Sequence, residues 1–372
     1  MKIYDLDHAA TTPINEGVIS EMLHVIKHDY GNPSSMHAIG IHNRKAINTA
    51  RKEVAELLRC KPSELIFTSS GTESINLALK GICFTKSDRT EIITTNIEHK
   101  ATIETLKYLG NTGYTVHDIP VDKEGFVDLD KLEAKLSKRT LLVTIIWANN
   151  EIGTIQRVEK IVSLARKYGA YIHLDAVQVI GHYPIDLSIL DVDLLSISAH
   201  KFYGPKGSGL LFVRDGIRLT PQIHGGNQEF GLRSGTENVS GIIGLAEALK
   251  HCYRINHHRQ DELTQVVNYF RLSLEQNFKV TCNGPAKKAD QLPGLMSISF
   301  ADEDATRLAY QFNQKGIFVS TGSACQSNTQ THSHVIEAIG NDPRSTIRIS
   351  IGYDLTREDI DEIIRRMKEI LG

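Results

Sequence analysis

No two cysteines in the chain stand as Cys-x-x-Cys. Cys60, Cys83, Cys252, Cys282 and Cys325 are odd in number and irregularly spaced, so neither a disulfide framework nor a zinc site is signalled. His332 and His334 resemble a metal pair only weakly; their context favours a loop and a helix start. No apolar run approaches the ~20 residues that a membrane-spanning helix needs, so no membrane is expected as a partner. An excess of charge is also missing. The 42 Lys and Arg against 44 Asp and Glu leave a net charge of −2 and a pI near 6.8, which gives no reason to expect direct binding of nucleic acid or an anionic surface. The start, Met1 to His8, lacks the apolar stretch of a secretory signal. A cytoplasmic protein with free thiols is therefore expected. Internal repeats and low-complexity tracts are absent.

What is present is ordinary for a globular enzyme: 41% hydrophobic and 23% charged residues over 372 positions. That length suggests two domains, one possibly interrupting the other. Apolar spacing predicts a helix over 16–28, and Ser34 or Ser35 is the expected N-cap of a second helix running to Leu58. From Glu64 to Val213 strands and helices alternate, an α/β pattern. Leu141 to Trp147 is a near-continuous apolar run, as in a parallel sheet covered on both faces. Gly209 to Val213 reads as a hairpin return. A long helix from Val239 to about Asn256 then leads into a smaller α+β unit. That unit should hold a helix over 259–276, strands near 278–282, 295–300 and 317–319, a helix near 303–315, and a strand around Arg348. The expected division is a large domain over 14–255 and a small domain made of 1–13 and 256–372.

The most informative stretch runs from Asp193 to Gly209. Leu194 to Ile197 reads as a buried strand, which empties at Ser198-Ala199-His200-Lys201 into a Gly/Pro-rich turn. A lysine in that place is partly desolvated, which favours its nucleophilic form, able to form a Schiff base with an aldehyde. Tyr171 to Leu174 is another apolar run, ending at Asp175. Alone, Asp175 would be a turn former and Lys201 a solvated turn residue. Two strand ends one βαβ-like step apart open into the same crevice of a parallel sheet. The aldehyde cofactor that uses a lysine and also needs a carboxylate for its pyridinium nitrogen is pyridoxal 5′-phosphate.

Other residues fall on the same rim. Ser70-Gly71-Thr72 lies between a strand and a helix, an anion site by geometry and dipole, or simple capping by Ser70 or Thr72. No Gly-Lys-[Ser/Thr] follows, so it is not a P-loop. His99 stands just past a strand end, where an imidazole can stack on a ring and move protons. Asn149 and Asn150 follow the central apolar strand, as turn formers or as groups facing the crevice. The glycine-rich, polar stretch 224–238 has almost no core-forming residues, as functional loops do. Cys325 lies among small polar residues, an exposed thiol suited to attack or transfer, or an incidental surface cysteine. Arg348, inside an apolar strand, needs an anionic partner, and a bidentate carboxylate is the natural one.

Taken in order, Leu6-Asp-His-Ala-Ala-Thr-Thr-Pro13, Gly31-Asn-Pro-Ser-Ser35, Ser70-Gly-Thr-Glu73, Glu98-His99, Asn149-Asn-Glu-Ile-Gly153, Asp175-Ala-Val-Gln178, Ser198 to Gly207, Arg233-Ser-Gly-Thr236, Gly322-Ser-Ala-Cys325 and Ile347-Arg-Ile-Ser350 resemble the pyridoxal-phosphate-dependent cysteine desulfurases of the NifS/IscS type, in aminotransferase class V. Gln326 stands where that family more often has threonine. The resemblance implies an aspartate-aminotransferase-like large domain with a mostly parallel central sheet, plus a smaller α+β domain. It implies that Lys201 carries the cofactor and moves the Cα proton, that Asp175 pairs with the ring nitrogen and Gln178 with the phenolic oxygen, and that His99 stacks on the ring. Gly71, Thr72, Ser198 and His200 would hold the phosphate, with Thr236 reaching it from the second subunit of a homodimer. Asn150 and Arg348 would grip L-cysteine, and Cys325 would take its sulfur as a persulfide, for a sulfur-acceptor protein in Fe–S cluster assembly or tRNA thiolation. Two alternatives stand beside this: a selenocysteine lyase or other class V lyase or transaminase, and a non-catalytic scaffold for a sulfur-transfer partner.

Overall fold

The computed structural model describes residues 2–321 and 332–372. After a short strand, β1 (Tyr4–Asp5), helix α1 (Glu16–His28) starts at Asn15, and α2 (Ala38–Leu58) starts at His37. The cap expected at Ser34 or Ser35 is at His37 because Asn32 claims both serines for a turn. Its Oδ1 accepts from Ser34 N at 2.9 Å and its carbonyl from Ser35 N at 3.0 Å.

The α/β region comprises β2 (Leu65–Thr68), α3 (Gly71–Cys83), β3 (Glu91–Thr95), α4 (Lys100–Asn111), β4 (Thr115–Ile119), α5 (Leu129–Lys135), β5 (Thr140–Ile146), α6 (Val158–Lys167), β6 (Tyr171–Asp175), β7 (Leu194–Ser198) and β8 (Gly209–Val213). They build a seven-stranded sheet in the order β2-β8-β7-β6-β5-β3-β4. From β7 to β4 all neighbours are parallel, and β8 returns antiparallel between β7 and β2. Strand β5 is buried throughout because helices cover both faces: Val143 and Ile145 pack with α6, and Leu142 with α3 and α4. The sheet is mostly parallel, as expected. Strand β4 and helix α5 add to the expected elements; Thr115-Val-His-Asp-Ile119 is a part-exposed edge strand with too few apolar residues to announce itself.

One connection differs from the expected pattern. Strands β6 and β7 are parallel neighbours, with Asp175 opposite Ser196, yet residues 176–193 form turns and no α-helix. Buried Ala176, Val179, Ile180, Ile185 and Leu187 cover the sheet in the helix's place.

The long helix also differs. It is one continuous element, α7 (Val239–Asn277), with no break near 256–259. No proline or glycine falls between Leu245 and Asn277, so nothing in the chain stops it. Ala246, Leu249 and Cys252 belong to the core under the large sheet, whereas Leu263, Phe270 and Leu274 belong to a second core. The division expected at 255/256 therefore falls inside a helix that serves both. The second core surrounds an antiparallel sheet of β9 (Val280–Asn283), β10 (Leu295–Phe300) and β12 (Thr346–Ser350), with α8 (Ala305–Gln314) and α10 (Arg357–Leu371) packed on it. Tyr4 and Leu6 are buried in the same core, and β1 pairs with β11 (Ile317–Phe318). Helix α9 (His334–Ala338) begins at Ser333, where a helix start is expected. No helix of the described residues is long and apolar enough to cross a membrane.

Candidate active site

Parallel strands point their carboxyl ends the same way, so whatever follows β3, β5, β6 and β7 gathers on one rim. There a cavity of about 270 Å³ is lined by Gly71, Thr72, His99, Asn150, Asp175, Gln178, Ser198, His200, Lys201 and Arg348, all expected site residues. Thr236 is exposed and does not line it. Cys325 lies outside the described residues.

Lys201 closes a single 3-10 turn, Ala199–Lys201, directly after β7. Its Nζ donates to the carbonyls of Ala9 at 2.7 Å and Ala10 at 2.8 Å. Gln178 Nε2 donates to the same Ala9 carbonyl at 2.9 Å. The N-terminal segment is thereby drawn into the site. Asp175 is buried, and its Oδ1 accepts from Val177 N at 3.0 Å. Burial pushes its carboxyl up to about 6, against the opposing pull of that N–H and of Lys201. A cationic ring nitrogen is the partner that would relieve this cost.

His99 is the N-cap of α4, and its Nδ1 accepts from Ala101 N at 3.1 Å. The neutral ring therefore carries its proton on Nε2. Burial, then the Lys201 charge, push His99 down to about 4, so it is neutral at pH 7. His200 is likewise pushed down to about 4 by burial and Lys201; its Nδ1 lies 3.2 Å from Thr11 Oγ1.

The N-terminus of α3 lies at the cavity, where its backbone N–H groups and dipole would favour an anion. Ser70, not Thr72, is its cap, accepting from Glu73 N at 3.1 Å. A Cβ on Gly71 would meet Val177 Cγ2 at 2.8 Å. Only glycine leaves that backbone open to a phosphate, with Ser198 beside it. The two asparagines after β5 have separate roles. Asn149 is fully buried and structural: its Oδ1 accepts from Glu151 N and Ile152 N, and its Nδ2 donates to Ile97 O. Asn150 faces the cavity, and its carbonyl accepts from Arg348 Nη1 at 3.0 Å. Arg348 Nη2 donates to Asp7 Oδ1 at 2.7 Å, so the anionic partner that its sequence position demands is Asp7.

Sequence reasoning missed Glu98, which also lines the cavity. Its Oε1 accepts from Thr95 Oγ1 at 2.6 Å and Ile146 N at 2.9 Å, and its buried Oε2 has no partner among the described residues. Burial pushes its carboxyl up to about 8, aided by the Asp175 and Asp118 charges. Its place beside His99 at a strand end was the available signal. Because the folded value exceeds the unfolded one, Glu98 costs stability as pH rises from its ordinary carboxylate range through about 8. Glu98→Gln is therefore expected to melt about 4 °C or more above wild type at pH 9, with the gap closing near pH 5; thermal unfolding of the cofactor-free protein checks it.

A lysine and a buried carboxyl after neighbouring strands share one cavity with a helix N-terminus, in a fold of the aspartate-aminotransferase type. The chain belongs to the aminotransferase class V family, which it matches over residues 3–363. It is 42% identical to cysteine desulfurase IscS of Dictyoglomus turgidum, across 98% of this chain and 94% of that one. It is 40% identical to cysteine desulfurase IscS of Methanosarcina thermophila, across 98% and 91%. Among solved structures, a NifS-like protein superposes with a TM-score of 0.94 at 38% identity, covering 100% of this chain and 99% of that one.

Proposed function

We propose that the protein is a pyridoxal-phosphate-dependent cysteine desulfurase that converts L-cysteine to L-alanine and carries the sulfur on Cys325. The observation that supports this most is the meeting of Lys201, Asp175, His99 and Arg348 in one cavity. A relative 33% identical, SspA, with a TM-score of 0.83 across 94% of this chain and 99% of that one, has been solved in complex with cysteine. The residues fit the cofactor: the Gly71 cradle and α3 N-terminus suit its phosphate, and the buried Asp175 suits its ring nitrogen. When bound, pyridoxal phosphate supplies an aldehyde and an electron sink for the Cα–H bond.

The chain's own residues do the rest. Arg348 and Asn150 hold the substrate carboxylate and so aim Cα at Lys201. Lys201 Nζ takes the Cα proton and is the base at that atom. Asp175 would hold the ring nitrogen in its cationic form, and His99, with its proton on Nε2, would lie against the ring as a donor. The Cys325 thiolate attacks the substrate sulfur; the Cβ–S bond breaks, its electron pair stays with Cβ, which takes up one proton, and Lys201 returns the other to Cα to complete alanine. Cys325 is left as a persulfide for an acceptor protein in Fe–S cluster assembly or tRNA thiolation. Thr236 serves the phosphate of a second copy in a homodimer, which agrees with its exposure away from its own cavity. The large domain of 14–255 provides most of the cofactor site, and the small domain of 1–13 with 256–372 adds Ala9, Ala10 and Arg348 to its lining. The place of action is the cytoplasm.

Incubation with L-cysteine should release alanine and add one sulfur to the Cys325 peptide, read by mass spectrometry. Release of alanine without that sulfur would overturn the persulfide route and favour another class V lyase. His99, neutral above about pH 5, should put no inflection in the kcat/KM profile between pH 5 and 8. His99→Gln should lower that profile without reshaping it there, and a limb lost near pH 6.5 in the variant would contradict the assignment.

A further inference from the structure

Arg348 is almost wholly enclosed, with only 4% of its side chain exposed. An enclosed guanidinium without an anion is costly, so the substrate-free protein must supply one. It supplies Asp7, at 2.7 Å from Nη2, with the Asn150 carbonyl on Nη1. Nε is buried and has no hydrogen-bond partner among the described residues. The guanidinium thus has one resident carboxylate and N–H donors to spare, beside the cavity where a substrate carboxylate is to bind.

Asp7 is 341 positions from Arg348 in the chain and reaches it through the small sheet. Asp7 bridges to Ser350, and Ala9 N donates to Ser350 Oγ at 2.8 Å. Two residues further on, the Ala9 and Ala10 carbonyls receive Lys201 Nζ. One short segment therefore touches two cations of the site, Arg348 through a carboxylate and Lys201 through neutral carbonyls.

We propose that Asp7 is a specificity-determining positioning residue: a resident counter-ion that holds Arg348 in place and weakens its grip on any incoming carboxylate. This rests on the reading that Arg348 binds the substrate carboxylate. The substrate must share the guanidinium with Asp7, and two carboxylates then face each other across one cation. Asp7 keeps the empty site stable at the expense of affinity.

The test uses holoenzyme and two probes, 3-mercaptopropionate and its uncharged amide. In Asp7→Asn the inhibition constant of the acid should fall about tenfold at low salt, as expected for removing one negative charge ~5 Å away in a partly wet site. The gap should narrow at high salt, and the amide should change less than twofold. KM for L-cysteine should fall with kcat nearly constant. Without ligand the variant should melt lower than wild type, and the acid should raise its melting temperature more than it raises that of wild type. Asp7→Ser provides the same readings if the amide variant does not fold. An unchanged or raised inhibition constant for the acid, with the Arg348→Ala variant still losing affinity for it, would overturn the role of Asp7 alone. An Arg348→Ala variant that binds the acid as wild type does would overturn the underlying reading instead.

Discussion

Lys201→Ala is expected to leave a folded protein that cannot be coupled to pyridoxal phosphate by borohydride and that forms alanine from L-cysteine about 10⁴-fold more slowly, the upper range for a lost general base. On the proposed function the residue would have two duties, covalent attachment and proton removal, and no other described lysine than Lys201 and Lys100 lines the cavity. Lys100 opens α4, on the His99 side of the cavity. The fold should survive, because the Ala9 carbonyl keeps its bond from Gln178 Nε2, while the Ala10 carbonyl loses the one from Lys201. That loss is of the order of 1–3 kcal/mol. Peptide mapping after borohydride reduction is the measurement. A stable label on another residue, or alanine formation within tenfold of wild type, would refute the assignment of Lys201.

Asp175→Asn is expected to move stability and catalysis in opposite directions. In the cofactor-free protein the Asp175 carboxyl is pushed up to about 6 from its ordinary 3.8 by burial. A raised acid holds its proton longer when folded than when unfolded. Its contribution is therefore favourable at low pH, declines from about pH 4 to about pH 6, and stays unfavourable above. Removing the carboxylate should stabilise the cofactor-free protein by roughly 2–4 kcal/mol at pH 7.5, with no gain below pH 4. The same variant should make alanine about 10²-fold or more slowly, the cost of removing a preorganised charge from the site. Denaturant melts at pH 4 and 7.5, paired with alanine release, read both arms. A cofactor-free variant less stable than wild type at pH 7.5 would show that Asp175 is ionised and well paired without the ring.

The alternation of apolar strands with helices made the α/β sheet legible before any coordinates, because each buried strand had to be a short apolar run between turn residues. The strand ends marked Asp175 and Lys201 for the same reason. The seat of the α2 cap was not legible, since Asn32 and His37 compete with two serines through local geometry that composition does not encode. The missing crossover helix between β6 and β7 was hidden because its buried residues do their covering from turns, without helical spacing. Glu98 was hidden because its environment, not its identity, makes it a raised acid.

Local patterning determined which residues stand at strand ends, which turn must be glycine, and that a buried arginine needs an anion. Only the folded chain decided that the anion is Asp7, that the amino-terminal carbonyls receive Lys201, and that one helix joins two cores. Those are contacts between segments hundreds of residues apart. Apolar periodicity specifies the face a segment buries, but the partner on that face is chosen by the packing of the whole.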